Sequence, residues 1–137
     1  MTAAGDPPPR LRAEGVTRRY ARNGTEIVAL DSADFEAHAG ELVLVMGPSG
    51  SGKSTLLAIL GLLDPADAGQ IFLNGEDVTR ASEDQRAQLR RSTLGFLFQD
   101  AGLIERKPIL DNTALPLIYR GLGRRERVNR AQAALEA

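Results

Sequence analysis

The chain has 137 residues, 42% of them hydrophobic, enough for one domain with a real core and short for two. Its 17 Lys plus Arg nearly balance 18 Asp plus Glu, a formal charge of -1, so no overall basic field draws it to nucleic acid or anionic lipid. It has no cysteine, which excludes disulfide frameworks, thiolate metal sites and cysteine nucleophiles, and fits an intracellular protein.

Residues 1–9, in "MTAAGDPPPR", lack the apolar stretch of a signal peptide and read as a short disordered, Pro-rich tail. In "LRAEGVTRRY" and "IVALDSADFEAHAG" apolar and polar residues alternate, the second with Val28, Leu30 and Phe35, and "NGT" between them reads as a turn. An antiparallel pair is predicted. "ELVLVMG" is a continuous apolar run, as expected of a strand covered on both faces in a parallel sheet, and the glycine loop and the helix "KSTLLAILGLL" follow. "GQIFLNGEDVT" predicts a short strand entering an Asn-Gly turn, and "SEDQRAQLRR" a surface helix whose Ser82 and Gln85 have capping-box spacing. "TLGFLFQ" reads as a further strand ending at Gln99, "DAGLIERKP" as a loop, and "ILDNTALPLIYRG" and "RRERVNRAQAALEA" as helices. The apolar runs stop well short of the roughly 20 residues of a membrane span, which predicts a soluble α/β chain.

Chemistry concentrates in "GPSGSGKS". Gly47, Pro48, Ser49, Gly50, Ser51, Gly52, Lys53 and Ser54 fit G-x-x-x-x-G-K-[ST], after a buried-type strand and at the opening of a helix. Average composition produces the four fixed positions by chance in about one chain of this length in two hundred. Glycines let successive N–H groups turn inward around phosphate oxygens, and the helix N-terminus adds partial positive charge. Lys53 is one of two lysines beside 15 arginines, so its presence reflects chemistry and not a general preference. A compact ammonium on a flexible stem reaches between β- and γ-phosphates where a planar guanidinium is bulkier. Ser54 is placed to offer its hydroxyl to Mg²⁺, and Thr55 to donate to the α-phosphate. The expected ligand is a Mg²⁺-nucleotide.

"LVMGPSGSGKSTLLAILGLLDPADAGQIFLNGEDV" followed by "LRRSTLGFLFQ" closely resembles the nucleotide-binding domain of ABC transporters, over about residue 10 to the C-terminus. The likeness is greatest to the lipoprotein-releasing and macrolide-exporter type, and "GFLFQDAGLIERKPILDNTALPLIYRGLGRRER" is similar to lactococcin-type bacteriocin exporters. The resemblance implies a P-loop NTPase fold with an N-terminal antiparallel β-region, residues 10–137 forming the N-terminal part of the domain and a helical subdomain beginning near residue 100. It implies ATP with Mg²⁺ as ligand, Tyr20 stacking on the adenine, and Gln99 contacting Mg²⁺ or the attacking water. The implied partners are a transmembrane permease and a second nucleotide-binding domain, head-to-tail, with the protein peripheral on the cytoplasmic face of the membrane. Nucleic acid is not expected, because acidic residues balance the chain as a whole and no aromatic platform accompanies the arginines near residues 120–130.

The family's LSGGQ-like signature and Walker B carboxylates are not found after Gln99, and its switch histidine comes late, whereas the only histidine here, His38, precedes the loop. The expectation is therefore a portion truncated before the signature and Walker B, with Lys53 and Gln99 as its catalytic residues and little turnover of its own. Two other readings stay open at this point: a module that holds ATP or docks on a permease without hydrolysis, and a soluble ABC-type ATPase of DNA maintenance.

Overall fold

The computed structural model describes residues 7–22, 24–98 and 102–137. The alternating segments form two long antiparallel strands, β1 (Leu11–Arg22) and β2 (Thr25–Ala37), paired from Leu11 opposite Ala37 to Arg22 opposite Thr25. The register shifts three times along the pair, first around Gly15, whose backbone N–H donates to Asp34 Oδ1 at 2.7 Å instead of to a ladder carbonyl. On the other side of β1 runs β3 (Ala68–Leu73), antiparallel, and β4 (Glu76–Asp77) completes the order β2-β1-β3-β4. Asn74 and Gly75 turn β3 into β4 with φ of 53° and 83°, the two left-handed positions that a tight hairpin requires and that this residue pair adopts readily.

One face of this sheet is covered by α1 (Lys53–Leu60), which packs on β1 and β2 and buries Ile59 and Leu60. Val16, Leu30, Leu62, Ile71, Leu73 and Val78 complete the buried set with Ala13. Burying each larger side chain contributes about 1.5–3 kcal/mol. Alternation sends Phe72 outward between Ile71 and Leu73, where the Arg12 guanidinium lies 4.5 Å from its ring centre. His38 follows β2 directly, and its Nε2 lies 3.1 Å from Glu36 Oε1.

The capping box is present at α2 (Glu83–Thr93): the Ser82 N–H donates to Gln85 Oε1 at 2.8 Å, and the Gln85 N–H donates to Ser82 Oγ at 3.3 Å. Glu83 and Asp84 in its first turn and Arg90 and Arg91 in its last complement the helix dipole. The chain divides within this helix into two compact units, Met1–Ala87 and Gln88–Ala137. In the second unit α3 (Ile109–Tyr119) and α4 (Arg124–Glu136) pack together, with Ala114 and Ala131 buried. Asn112 shapes the loop before α3, accepting from the Ile104 N–H at 2.8 Å and donating to the Lys107 carbonyl at 3.0 Å. Of the arginines near α4, Arg130 pairs with Glu126 at 2.6 Å on the solvent side.

Two expectations are corrected. Residues 41–47 form no strand, and Leu42, Leu44 and Met46 are exposed. Residues 94–98 likewise form no strand, although Phe96 and Phe98 stack with ring centres 5.8 Å apart, as i and i+2 side chains of an extended segment do. An apolar run becomes a strand only where another backbone supplies a ladder, and parallel strands draw theirs from distant segments. Among the described residues neither run has one. Of the expected tail, residues 7–9 have no regular structure and residues 1–6 lie outside the described residues.

Candidate functional site

Between residues 47 and 52 the backbone turns through positive φ at Gly47, Gly50 and Gly52, and the Ser51 N–H closes a turn on the Pro48 carbonyl at 3.3 Å. Gly52 caps α1 with φ of 87°, and its carbonyl accepts the first helical bond, from Leu56 N–H at 2.8 Å. Glycine is required here for a second reason. A Cβ at Gly52 would lie 2.4 Å from the Ala29 carbonyl oxygen of β2 and 3.0 Å from Leu30 Cδ2, and backbone cannot yield as a side-chain tip can. The close approach seats the loop against β2.

That seat forms one wall of a cavity of about 280 Å³. Ser49, Gly50, Gly52, Lys53, Ser54 and Thr55 line it from the loop and the first turn of α1, and Ile27, Val28 and Ala29 line it from β2. Its lining carries one cation and no anion. The α1 N-terminus has no side-chain cap and no acidic residue in its first turn, so its N–H groups and dipole are left to attract negative charge. Lys53 Nζ donates to the Gly47 carbonyl at 2.9 Å and the Pro48 carbonyl at 2.7 Å, which holds the ammonium across the loop with the last of its three N–H donors uncommitted to these carbonyls.

Tyr20 does not line the cavity, but it stands on β1 directly opposite Ile27, which does. Its hydroxyl donates to Asp64 Oδ2 at 2.5 Å, and the Arg18 guanidinium lies 4.7 Å from its ring centre. Arg18 also donates to Asp64 Oδ1 at 2.8 Å and to Asp67 Oδ1 at 2.9 Å. Asp67 Oδ2 accepts the Arg19 backbone N–H at 2.6 Å. This backbone bond first, and then Arg18, hold the Asp67 carboxyl below its ordinary pKa of 3.8. Gln99 lies outside the described residues.

The sequence motif pointed to the loop and the resemblance to Tyr20, and neither pointed to Ile27, Val28, Ala29, Arg18, Asp64 or Asp67. For Arg18 a signal was available, since i and i+2 on a strand share a face with Tyr20. The aspartates meet β1 across some 44–49 positions of sequence, which no local pattern announces.

The ABC transporter family model matches residues 30–137. The chain belongs to the ABC transporter family. This ABC domain is 43% identical to an ABC transporter ATP-binding protein of Thermotoga maritima, over 88% of the chain and 52% of that protein. It is 40% identical to the lipoprotein-releasing system ATP-binding protein LolD of Nitrobacter winogradskyi, over 93% of the chain and 55% of the relative. It is also 40% identical to the macrolide export ATP-binding/permease protein MacB of Vibrio parahaemolyticus, over 91% of the chain and 19% of the relative. The chain thus spans about a fifth to about a half of the curated relatives it matches. Among solved structures it resembles the dimeric ABC transporter cassette MJ0796, with a TM-score of 0.83 and 35% identity over 92% of this chain and 56% of that one. The same cassette has been solved bound to ADP and Pi. The fold is that of an α/β P-loop NTPase with an antiparallel N-terminal sheet. Among the described residues no helix is long and apolar enough to cross a membrane.

Proposed function

We propose that this ABC domain binds Mg²⁺-ATP and belongs to a protein that couples ATP hydrolysis to export. The observation that carries the reading is the cationic cavity between the glycine loop and β2, with Lys53 held across the loop and an uncapped helix N-terminus behind it. The residues fit the group: the cavity lining offers the Lys53 ammonium and the Ser54 and Thr55 hydroxyls with no carboxylate, at a helix N-terminus without a side-chain cap. Loop N–H groups of Gly50 and Gly52 and those of the first turn of α1 would hold the phosphates, and Lys53 would turn to the β- and γ-phosphates. The Ser54 hydroxyl would be a ligand of Mg²⁺, whose preference for oxygen ligands suits a hydroxyl, an amide oxygen and phosphate oxygens. Thr55 would donate toward the α-phosphate, Tyr20 would stack on the adenine, and Gln99 would contact Mg²⁺ or the attacking water. When bound, Mg²⁺-ATP supplies the phosphoryl group whose transfer to water provides the driving force.

Export is supported by the relatives named as export proteins, and pairing with a second nucleotide-binding domain by the dimeric cassette. In that setting the protein lies on the cytoplasmic face of a membrane, and exposed Leu103, Ile104, Ile109 and Ile118 of the second unit, part of a helical subdomain, meet the permease.

Titration calorimetry with Mg²⁺-ATP tests this, with phosphate release followed in parallel. Saturable binding is expected, weakened about 10- to 100-fold in Lys53→Ala, as fits loss of a charge-assisted bond of about 1.5–3 kcal/mol. Binding that Lys53→Ala leaves unchanged would overturn the reading.

A further inference from the structure

Tyr20 is held more firmly than an exposed strand tyrosine needs to be. Its hydroxyl ends on Asp64, one face of its ring lies against Arg18, and Arg18 is itself gripped by Asp64 and Asp67. The guanidinium forks between two carboxylates with its carbon over the ring, and a lysine ammonium has no such planar fork. Arg18 and Asp64 side chains are only 17% and 23% exposed, so the contacts are partly shielded from solvent and salt.

Asp64 connects this cluster to the phosphate loop. It follows α1 by a turn that is itself bonded down, Gly61 N–H to the Leu57 carbonyl at 2.9 Å and Leu63 N–H to the Ala58 carbonyl at 2.8 Å. Asp67 N–H in turn donates to the Thr17 carbonyl of β1 at 2.9 Å. The helix whose N-terminus faces the cavity therefore carries, just past its other end, the carboxylate that fixes the ring.

We infer that Arg18 and Asp64 are positioning residues for nucleotide recognition: Asp64 fixes the Tyr20 ring through its hydroxyl, and Arg18 covers one ring face, leaving the other for the base. This rests on the proposed stacking role of Tyr20. Without the hydroxyl bond the ring rotates about its side-chain torsions, and a bound base must then order it at the expense of affinity.

The test compares ATP with inorganic tripolyphosphate, which offers the phosphates without the base, on the purified protein and on Tyr20→Leu, Tyr20→Phe, Asp64→Ala, Arg18→Met and the double variant Tyr20→Phe/Asp64→Ala. Tyr20→Leu is expected to weaken ATP about 10-fold or more while leaving tripolyphosphate unchanged, in keeping with the strength of base stacking. Tyr20→Phe and Asp64→Ala are each expected to weaken ATP about 3- to 10-fold. The double variant should lose no more than Asp64→Ala alone, because the bond that Tyr20→Phe removes is already absent there. Arg18→Met is expected to lose a similar factor. With ring-labelled tyrosine, the ATP-induced upfield shift of the Tyr20 signal should shrink in Asp64→Ala; only Tyr119 shares the spectrum, and Tyr20→Leu assigns it.

If Tyr20→Leu leaves ATP affinity unchanged, the stacking reading fails and this inference with it. If Tyr20→Leu weakens ATP but Tyr20→Phe and Asp64→Ala do not, or if their losses add in the double variant, the positioning inference alone is overturned. Tyr20→Phe, which changes one oxygen atom, keeps the question answerable should Asp64→Ala fail to fold. Absence of ATP binding by the unsubstituted protein overturns the proposed function and the inference together.

Discussion

Val16 on β1 is fully buried, whereas Leu42, Leu44 and Met46, in a run at least as apolar, are 88%, 72% and 82% exposed. Composition does not separate the two regions. What separates them is where their partners come from. β1 finds β2 across a turn of a few residues and β3 some sixty positions on, so both its edges are paired and its inward residues meet α1. The run at 42–46 is flanked in sequence by a turn and a glycine loop, and no described strand pairs with it. Strand formation is a property of pairs, and an apolar segment holds only half of the instruction.

Four measurements would break or sharpen this contrast. The largest effect is expected from Ile59→Ala, which empties the best-buried position of α1 and should cost about 2–5 kcal/mol in a urea unfolding titration. A cost below about 1 kcal/mol would mean that α1 is not anchored as described. Next is Gly52→Ala, which forces a side chain into a left-handed position and against the Ala29 carbonyl; a loss of about 1–3 kcal/mol is expected, with a weaker response to Mg²⁺-ATP. Acid should act more mildly. Asp67 has a lowered pKa, so its stabilising contribution is complete above about pH 4 and disappears as pH falls through the lowered value. Thermal midpoints taken downward from pH 4 should therefore fall less steeply for Asp67→Asn than for the unsubstituted protein. The smallest effect belongs to the exposed run: Leu44→Ser should change stability by no more than about 0.5 kcal/mol. If it costs as much as Ile59→Ala, the run is packed and the contrast disappears.

The parts of the molecule that local chemistry determines could be read in advance. Ser82 and Gln85 bond within four residues, Asn74-Gly75 turns on its own φ preferences, and the lysine loop declares itself by glycine spacing, so each was visible in a short window of sequence. The antiparallel pair was legible because β1 and β2 each alternate and a turn signal separates them. The strands expected at 41–47 and 93–99 failed for the opposite reason, since their pairing is not local. The same distinction divides the site. Gly52 was found by motif, but its contact with Ala29 depends on how β2 lies under the loop, and the Arg18–Asp64–Asp67 cluster exists only once α1 has folded back along β1.

The segment Leu42–Met46 also has a bearing on how the protein behaves at high concentration. Five consecutive apolar, strand-prone residues with no charge and no proline have no ladder partner among the described residues, and such a segment adds readily to the same segment of another molecule. Each encounter between two chains offers the ladder that this run lacks within one. Colloidal stability should accordingly be governed by this short stretch more than by the net charge, and a single glutamate or lysine within it should raise the concentration at which the protein stays monodisperse.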